Sequence, residues 1–174
     1  MAFTDWFRKK AKVFGMTDHS THLSKNFTIG EFEKSQTALR HGIPNQMGPV
    51  ELAAARELAK AVLQPVRDQH GVTVINSGFR SEALNTRLGG SKNSQHMLGE
   101  AADIEVPGMS NYDLAVWIRD NLDYDQLILE AYQPGEHNSG WVHVSYRADG
   151  ANRKENLTAT FIDGKAHYSF GLVK

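Results

Sequence analysis

Cysteine is missing from this chain of 174 residues. Its absence excludes disulfide bonds, thiolate catalysis and cysteine-ligated zinc, so any metal site must be built from histidine and carboxylate side chains. No apolar run approaches the roughly 20 residues that a membrane-spanning helix needs. We therefore expect no stable insertion into a membrane. The formal net charge is only -1, which gives no reason to expect nucleic acid or an anionic membrane as the main partner.

The length suits one domain with a sizeable core and is too short for two ordinary domains. We predict a monomeric domain over residues 23–174, with a motif core over 72–147, preceded by an N-terminal extension over 1–22. The extension combines aromatic residues with a basic cluster at Arg8-Lys9-Lys10. It is either a helix that binds a membrane surface or a partner, or a segment that packs on its own domain or is loosely held.

Apolar periodicity predicts both helices and strands. The strongest helix runs from residue 50 to about 69. Pro65 cannot bond to the carbonyl of Ala61, so it should kink this helix or split off its last turn. A second long helix is predicted over 111–122. Strands are predicted over 72–75, 103–106, 126–130 and 141–146, and a terminal hairpin over 159–168.

One stretch, residues 94–103, carries the candidate chemistry. His96 precedes Asp103 by seven positions, and Gly99 between them allows a tight turn. His143 lies in a later strand-like run. A lone histidine is more often a hydrogen-bonded, partly buried side chain than a ligand. Imidazole and carboxylate are nevertheless both good ligands for Zn²⁺, so the three residues together indicate a metal site.

The pattern Ser-x-His-x₆-Asp followed by a late Trp-x-His resembles the D-Ala-D-Ala carboxypeptidase family of zinc peptidases, which also contains dipeptidases and phage peptidoglycan endopeptidases. The resemblance extends upstream to Ser77-Gly78-Phe79-Arg80-Ser81, Leu84-Asn85 and Gly89-Gly90, and it covers about residues 24–147. It implies a D-Ala-D-Ala carboxypeptidase or hedgehog-like zinc peptidase fold, which is a small α+β domain with a mainly antiparallel sheet and helices packed on one face.

The resemblance also implies roles for individual residues. By it, His96, Asp103 and His143 are the zinc ligands, and Arg80 and Ser94 line the substrate site. Arg80 would hold a peptide carboxylate or help to stabilise the oxyanion, whereas the ordinary alternative is a surface ion pair. Ser94 would hydrogen-bond the substrate or Asp103. The implied function is a zinc-dependent peptidase, endolysin-like or D,D-carboxypeptidase-like, that hydrolyses the peptide stem or cross-link of bacterial peptidoglycan.

The sequence departs from much of the family at the general base. A Glu or Asp often precedes the last histidine by three positions, where this chain has Gly140. We predict that Glu130 takes this role, because an antiparallel hairpin would bring it within reach of His143. Glu130 could instead orient a zinc-bound histidine. Two further candidates for the base lie in the intervening turn: Glu136 and His137.

Two other functions stay open on the sequence alone. The missing carboxylate at position 140 is compatible with a non-catalytic zinc-binding domain associated with the wall or a virion. Two histidines and one carboxylate also suit Fe(II), although the His-to-Asp spacing and the lack of a jelly-roll strand pattern argue against an oxygenase. Because the N-terminus lacks the apolar core of a secretory signal, we expect a phage-type protein, made in the cytoplasm, that acts on the wall after release or as part of a particle.

Overall fold

The computed structural model describes residues 18–136 and 138–174. Most of the predicted extension 1–22 therefore lies outside the described residues, as does His137. In chain order the helices are α1 Ile29–Glu33, α2 Gln36–His41, α3 Pro49–Leu58, a π-helical segment Ala59–Leu63, α4 Gln64–His70, α5 Glu82–Arg87, a 3-10 helix Gln95–Leu98 and α6 Asn111–Asn121. None of these described helices is long and apolar enough to cross a bilayer.

In the part of the chain that the structure describes, six strands form one sheet in the order β1-β2-β4-β3-β5-β6. They are β1 Val74–Ser77, β2 Ala101–Glu105, β3 Gln126–Glu130, β4 Trp141–Ser145, β5 Glu155–Ile162 and β6 Lys165–Phe170. Every neighbouring pair is antiparallel except β3 and β5, which are parallel. The prediction of an α+β chain with a mainly antiparallel sheet is therefore confirmed.

Pro65 shapes the long helical stretch that packs into the core. It has no N–H to donate to the carbonyl of Ala61. The structure accommodates this with the π-helical segment, at whose end the N–H of Gln64 bonds to the carbonyl of Ala59. The sequence predicts a kink or a separate last turn here. The structure has a separate last helix and inserts one wider turn before it, which absorbs the missing bond. The apolar side stays fully buried at Ala55, Leu58, Val62 and Val66.

The pleat of the sheet separates the core from the candidate chemistry. Alternate side chains of the central strands, such as Ile104 and Val142, are fully buried in one cluster with the apolar sides of the helices. The intervening side chains point to the other face. Asp103 pairs with His143 across β2 and β4, and Glu130 has the same strand parity on β3. All three therefore share the face opposite that cluster.

Candidate functional site

His96 is fixed by the chain segment that precedes the site. Its Nδ1 lies 2.6 Å from the carbonyl oxygen of Gly78, and the N–H of Arg80 bonds to the carbonyl of His96 at 3.1 Å. A carbonyl only accepts hydrogen bonds, so Nδ1 carries the proton and donates it. Nε2 of the neutral ring is then left with a free lone pair that points into the site.

Gly99 explains how His96 and Asp103 come together over so short a stretch. Its φ of +72° is the left-handed conformation that glycine adopts readily. A Cβ at this position would lie 2.3 Å from the carbonyl oxygen of Glu51 on α3. The 3-10 helix can therefore turn into β2 directly against α3 only because residue 99 has no side chain.

Three side-chain atoms converge in a small triangle. His96 Nε2 lies 3.2 Å from Asp103 Oδ1, His143 Nδ1 lies 3.0 Å from the same oxygen, and the two nitrogens are 3.2 Å apart. All three residues are buried. Ligand atoms bound at about 2.0–2.2 Å around a tetrahedral zinc are themselves about 3.3–3.6 Å apart, slightly farther than the three separations in the triangle. The group therefore fits a zinc ion by donor chemistry and by spacing, and a cation between the atoms would satisfy all three lone pairs at once.

Asp103 supplies the negative charge of the triangle. Burial alone would raise the pKa of this carboxyl, but the adjacent His96 and His143 rings hold the pKa well below its usual range. The carboxylate is therefore ionised at neutral pH, which is the form that a cation requires.

Arg80 forms an ion pair with the Asp103 oxygen that is not part of the triangle. Its Nη2 is 2.6 Å from Asp103 Oδ2, and its Nε donates to Ser77 Oγ at 2.8 Å. Such a contact orients a ligating carboxylate. Within the described residues Arg80 Nη1 has no hydrogen-bond partner, so one donor group stays available for a ligand. A substrate-binding role for Arg80 stays a prediction beside this structural one.

Ser94 lies at the start of the 3-10 helix that carries His96. Its hydroxyl makes no hydrogen bond within residues 18–136 and 138–174, and its side chain does not cap the helix. Of the two predicted partners, Asp103 is therefore not bonded to Ser94, and contact with a substrate is the role that stays a prediction.

Glu130 is a carboxylate without a side-chain partner among the described residues. It ends β3 on the same face as Asp103 and His143, as the predicted antiparallel hairpin requires. Burial, followed by the negative charge of Asp103, raises the pKa of Glu130, while His143 and Arg80 act in the opposite direction. A half-buried carboxylate with no side-chain partner, on the face that carries the triangle, is the arrangement expected of a proton acceptor.

The structure explains why residue 140 is a glycine and not the Glu or Asp that much of the resembled family has at this position. Its φ is +69°, and a Cβ at this position would lie 1.9 Å from the carbonyl oxygen of Glu130. The hairpin therefore closes so tightly that no side chain fits at position 140. The same closure holds Glu130 at the end of β3, on the face of the sheet that carries the triangle.

We expect Gly140→Ala to lower the free energy of unfolding by more than about 2 kcal/mol, because left-handed backbone strain of about 1–2 kcal/mol is joined by a backbone overlap. Gly150→Ala is the matched control, since Gly150 has a φ of +75° and nothing within 4 Å of its would-be Cβ. Urea unfolding of both variants measures the difference. Equal losses in the two variants would show that the hairpin has room at position 140.

A polar network that the sequence does not reveal supports the helix of His96. Gln95 Nε2 donates to Asp125 Oδ2 at 3.0 Å, and the buried Asp125 carboxylate also accepts two hydrogen bonds from the Arg153 guanidinium at 2.9 and 2.7 Å. The Arg153 hydrogen bonds, opposed by burial, hold the pKa of Asp125 below its usual value. The residue next to His96 is thus linked to Asp125, directly before β3, and through Asp125 to Arg153, before β5.

Comparison with known proteins matches this chain to peptidases. A family model described as Peptidase M15 matches residues 25–145, which is more than half of the chain. The zinc D-Ala-D-Ala carboxypeptidase of Streptomyces albus G is 42% identical over 84 residues, or 45% of this chain and 31% of the relative. The chain thus spans about a third of the length of this curated relative, and the matched family region contains the whole triangle, Arg80 and Glu130.

Proposed function

The chain belongs to the peptidase M15 family, and on that premise we propose that it is a zinc-dependent peptidase that hydrolyses the peptides of bacterial peptidoglycan. The observation that carries the proposal is the buried triangle of His96 Nε2, Asp103 Oδ1 and His143 Nδ1, with edges of 3.0–3.2 Å. Three protein ligands are the number found in catalytic zinc sites, which keep a further position open.

His96, Asp103 and His143 would hold the ion. When bound there, zinc would supply Lewis acidity to a water molecule and to the scissile carbonyl. The Gly78 carbonyl keeps the proton of His96 on Nδ1, and Arg80 keeps Asp103 turned towards the two rings. The protein thus preserves the donor set before any ion arrives.

Glu130 is the residue that we assign to proton transfer. Its carboxylate can accept a proton from the attacking water and return it to the leaving amine. Arg80 Nη1 would bind a substrate carboxylate or the developing oxyanion, and Ser94 would hydrogen-bond the substrate. Glu136 stays an alternative base because it lies in the turn between β3 and β4, and His137 lies outside the described residues.

Which peptide bond the protein cleaves is a separate proposal. The relative is named for action on D-Ala-D-Ala, which supports a carboxypeptidase-like reaction, while an endolysin-like cleavage inside the stem or cross-link uses the same residues. That the protein reaches the wall after release, or within a particle, stays a prediction.

Digestion of purified peptidoglycan tests the proposed function. We expect the zinc-loaded protein to release new amino and carboxyl termini in equal amounts, as peptide-bond hydrolysis demands, and no new reducing sugar ends. A chelator should stop the release and added zinc should restore it. A zinc-loaded protein that releases no termini from any peptidoglycan would support the non-catalytic zinc-binding alternative instead.

We expect Arg80→Ala to weaken zinc binding by about tenfold or more, because Asp103 loses the partner that orients it. Competition with a chromophoric chelator measures the affinity, and turnover is measured at saturating zinc. Arg80→Lys is the control, since it keeps the charge but not the two-pronged contact to Asp103 and Ser77. Unchanged zinc affinity with reduced turnover would assign Arg80 to the substrate alone. No change in either would leave Arg80 as a structural ion-pair partner of Asp103.

A further inference from the structure

The hairpin β5–β6 carries its apolar side chains on the face that holds the metal triangle. Strand parity continues from Glu130 through Ala159 to Tyr168. Phe161 and Phe170 lie on this same face, since they follow the same alternation on β5 and β6. The other face of the hairpin is mainly polar, with Thr158, Thr160, Lys165, His167 and Ser169. The hairpin therefore points its apolar side away from the helices.

This apolar side is not covered by the described protein. Phe161 is 47% exposed, Tyr168 60% and Phe170 88%. An alternating strand normally buries its apolar face, so three exposed rings side by side indicate a binding surface rather than scattered exposure. We call Phe161, Tyr168 and Phe170 the aromatic face.

The aromatic face is continuous with the candidate site. The ring of Phe161 lies 6.3 Å from the ring of Trp141, and Trp141 pairs with Glu130. Partial burial, followed by the charge of Glu130, raises the pKa of Tyr168. Ala159 separates Glu130 from Tyr168 on this face, and its small side chain is fully buried beneath its neighbours. One row of side chains thus joins the face of the triangle to the aromatic face.

We propose that the aromatic face is a subsite for the sugar rings that carry the peptide stem of peptidoglycan, a proposal that rests on the proposed function. From Leu157 to Ile162 and from Ala166 to Phe170 this face presents no charged side chain. The stem peptide carries charged groups, whereas N-acetylated sugars of the glycan have apolar C–H faces and neutral polar rims. Flat aromatic rings bury such faces and leave the hydroxyls in water.

The distance from the triangle to the aromatic face is compatible with a sugar joined to the stem peptide. Neighbouring strands are about 4.8 Å apart, so Glu130 on β3 and Tyr168 on β6 are separated by roughly 10 Å, and His143 on β4 and Phe170 by roughly 14 Å. An extended residue spans about 3.3–3.6 Å. The sugar would therefore meet the aromatic face when the scissile bond lies about three or four residues along the stem.

Two other occupants suit the surface less well. A membrane-binding surface normally adds lysine or arginine to its apolar residues, but Lys165 is on the opposite face of the hairpin. A stable dimer buries about 800 Å² on each partner, whereas three such rings supply roughly 450–750 Å² even if fully buried. Both occupants are outcomes of the test.

The test compares two substrates that differ only in the sugar: a pentapeptide stem joined to its disaccharide, and the same pentapeptide alone. For Phe170→Ser and for Tyr168→Ser we expect KM for the disaccharide substrate to rise about three- to tenfold, with kcat and both constants for the bare peptide unchanged. Ile162→Ser is the matched control, because Ile162 is 56% exposed on the opposite face of the same hairpin. Equal changes for both substrates, or none for either, would overturn the proposal.

Direct binding keeps this test separate from the proposed function. The NMR spectrum of the zinc-loaded wild type should show chemical-shift changes when the peptide-free disaccharide is added. These changes should be absent in Phe170→Ser. If the wild type cleaves no peptide yet binds the disaccharide at these rings, the proposed function fails and the subsite stands. Absence of disaccharide binding, binding instead to vesicles of phosphatidylglycerol and phosphatidylethanolamine, or concentration-dependent dimerisation that Phe170→Ser abolishes would each overturn the subsite.

Discussion

Glu130→Gln is expected to lower turnover by roughly 10² to 10⁴, the usual contribution of general-base catalysis. Glutamine keeps the size of the side chain and most of its hydrogen bonding but cannot accept a proton. The carboxylate has no side-chain partner among the described residues and points to the face of the triangle, so neither zinc content nor melting temperature should change much. Steady-state kinetics on a defined muropeptide, with zinc measured in the same sample, give both quantities.

Glu136→Gln is the matched control for this experiment. Glu136 is exposed in the turn between β3 and β4, so its loss should leave turnover near the wild-type value. A ten-fold or larger loss of zinc affinity in Glu130→Gln would assign Glu130 to orienting a ligand. Wild-type turnover in Glu130→Gln together with a large loss in Glu136→Gln would move the base to the turn.

His96→Ala is expected to remove both bound zinc and detectable peptidase activity. The substitution deletes one of three ligands and leaves the Gly78 carbonyl without the ring that it accepts from. Elemental analysis of the purified protein should fall from one zinc per chain to a small fraction. Because His96 is buried, circular dichroism must show that the variant is folded before its zinc content is interpreted.

His41→Ala provides the comparison for His96→Ala. His41 is exposed at the end of α2 and lies outside the triangle, so this variant should keep one zinc and wild-type turnover. Full zinc occupancy in folded His96→Ala would contradict the assignment of the ligands.

Much of the fold follows from local pattern. Thr28 and Glu31 form a capping box, with the three-residue spacing typical of one. Ser110, a residue type common at this position, caps α6, and the terminal hairpin turns at Asp163-Gly164. These features depend on residues close in sequence, so a single sequence contains the information. The π-helical segment before Pro65 was not predictable in the same way, because a missing hydrogen bond can be absorbed by a kink or by a wider turn.

Those parts of the site that depend only on the alternation of side chains along the strands can be predicted from the sequence. Once β3 and β4 pair, Glu130 and His143 must share a face. The contact of Arg80 with Asp103 depends instead on how β1 and β2 are offset, including an irregular register between Ile75 and Ser77. The link from Gln95 to Asp125 joins residues 30 positions apart, and no local pattern marks it.

Gly140 shows why a departure from a family pattern needs a structure to interpret it. The sequence shows only that a carboxylate is missing, which is compatible with a relocated base or with lost catalysis. The approach of the position-140 backbone to the Glu130 carbonyl shows that the hairpin excludes any side chain there. The exclusion and the nearby free carboxylate together favour the relocated base.

Anomalous X-ray diffraction at the zinc edge, on crystals of the zinc-loaded wild type, tests the proposed zinc site. We expect one strong peak per chain, bonded to His96 Nε2, Asp103 Oδ1 and His143 Nδ1 at about 2.0–2.2 Å, on the face of the sheet that carries Glu130. A zinc peak held by other residues, or no peak in crystals that contain the zinc-loaded protein, would contradict it.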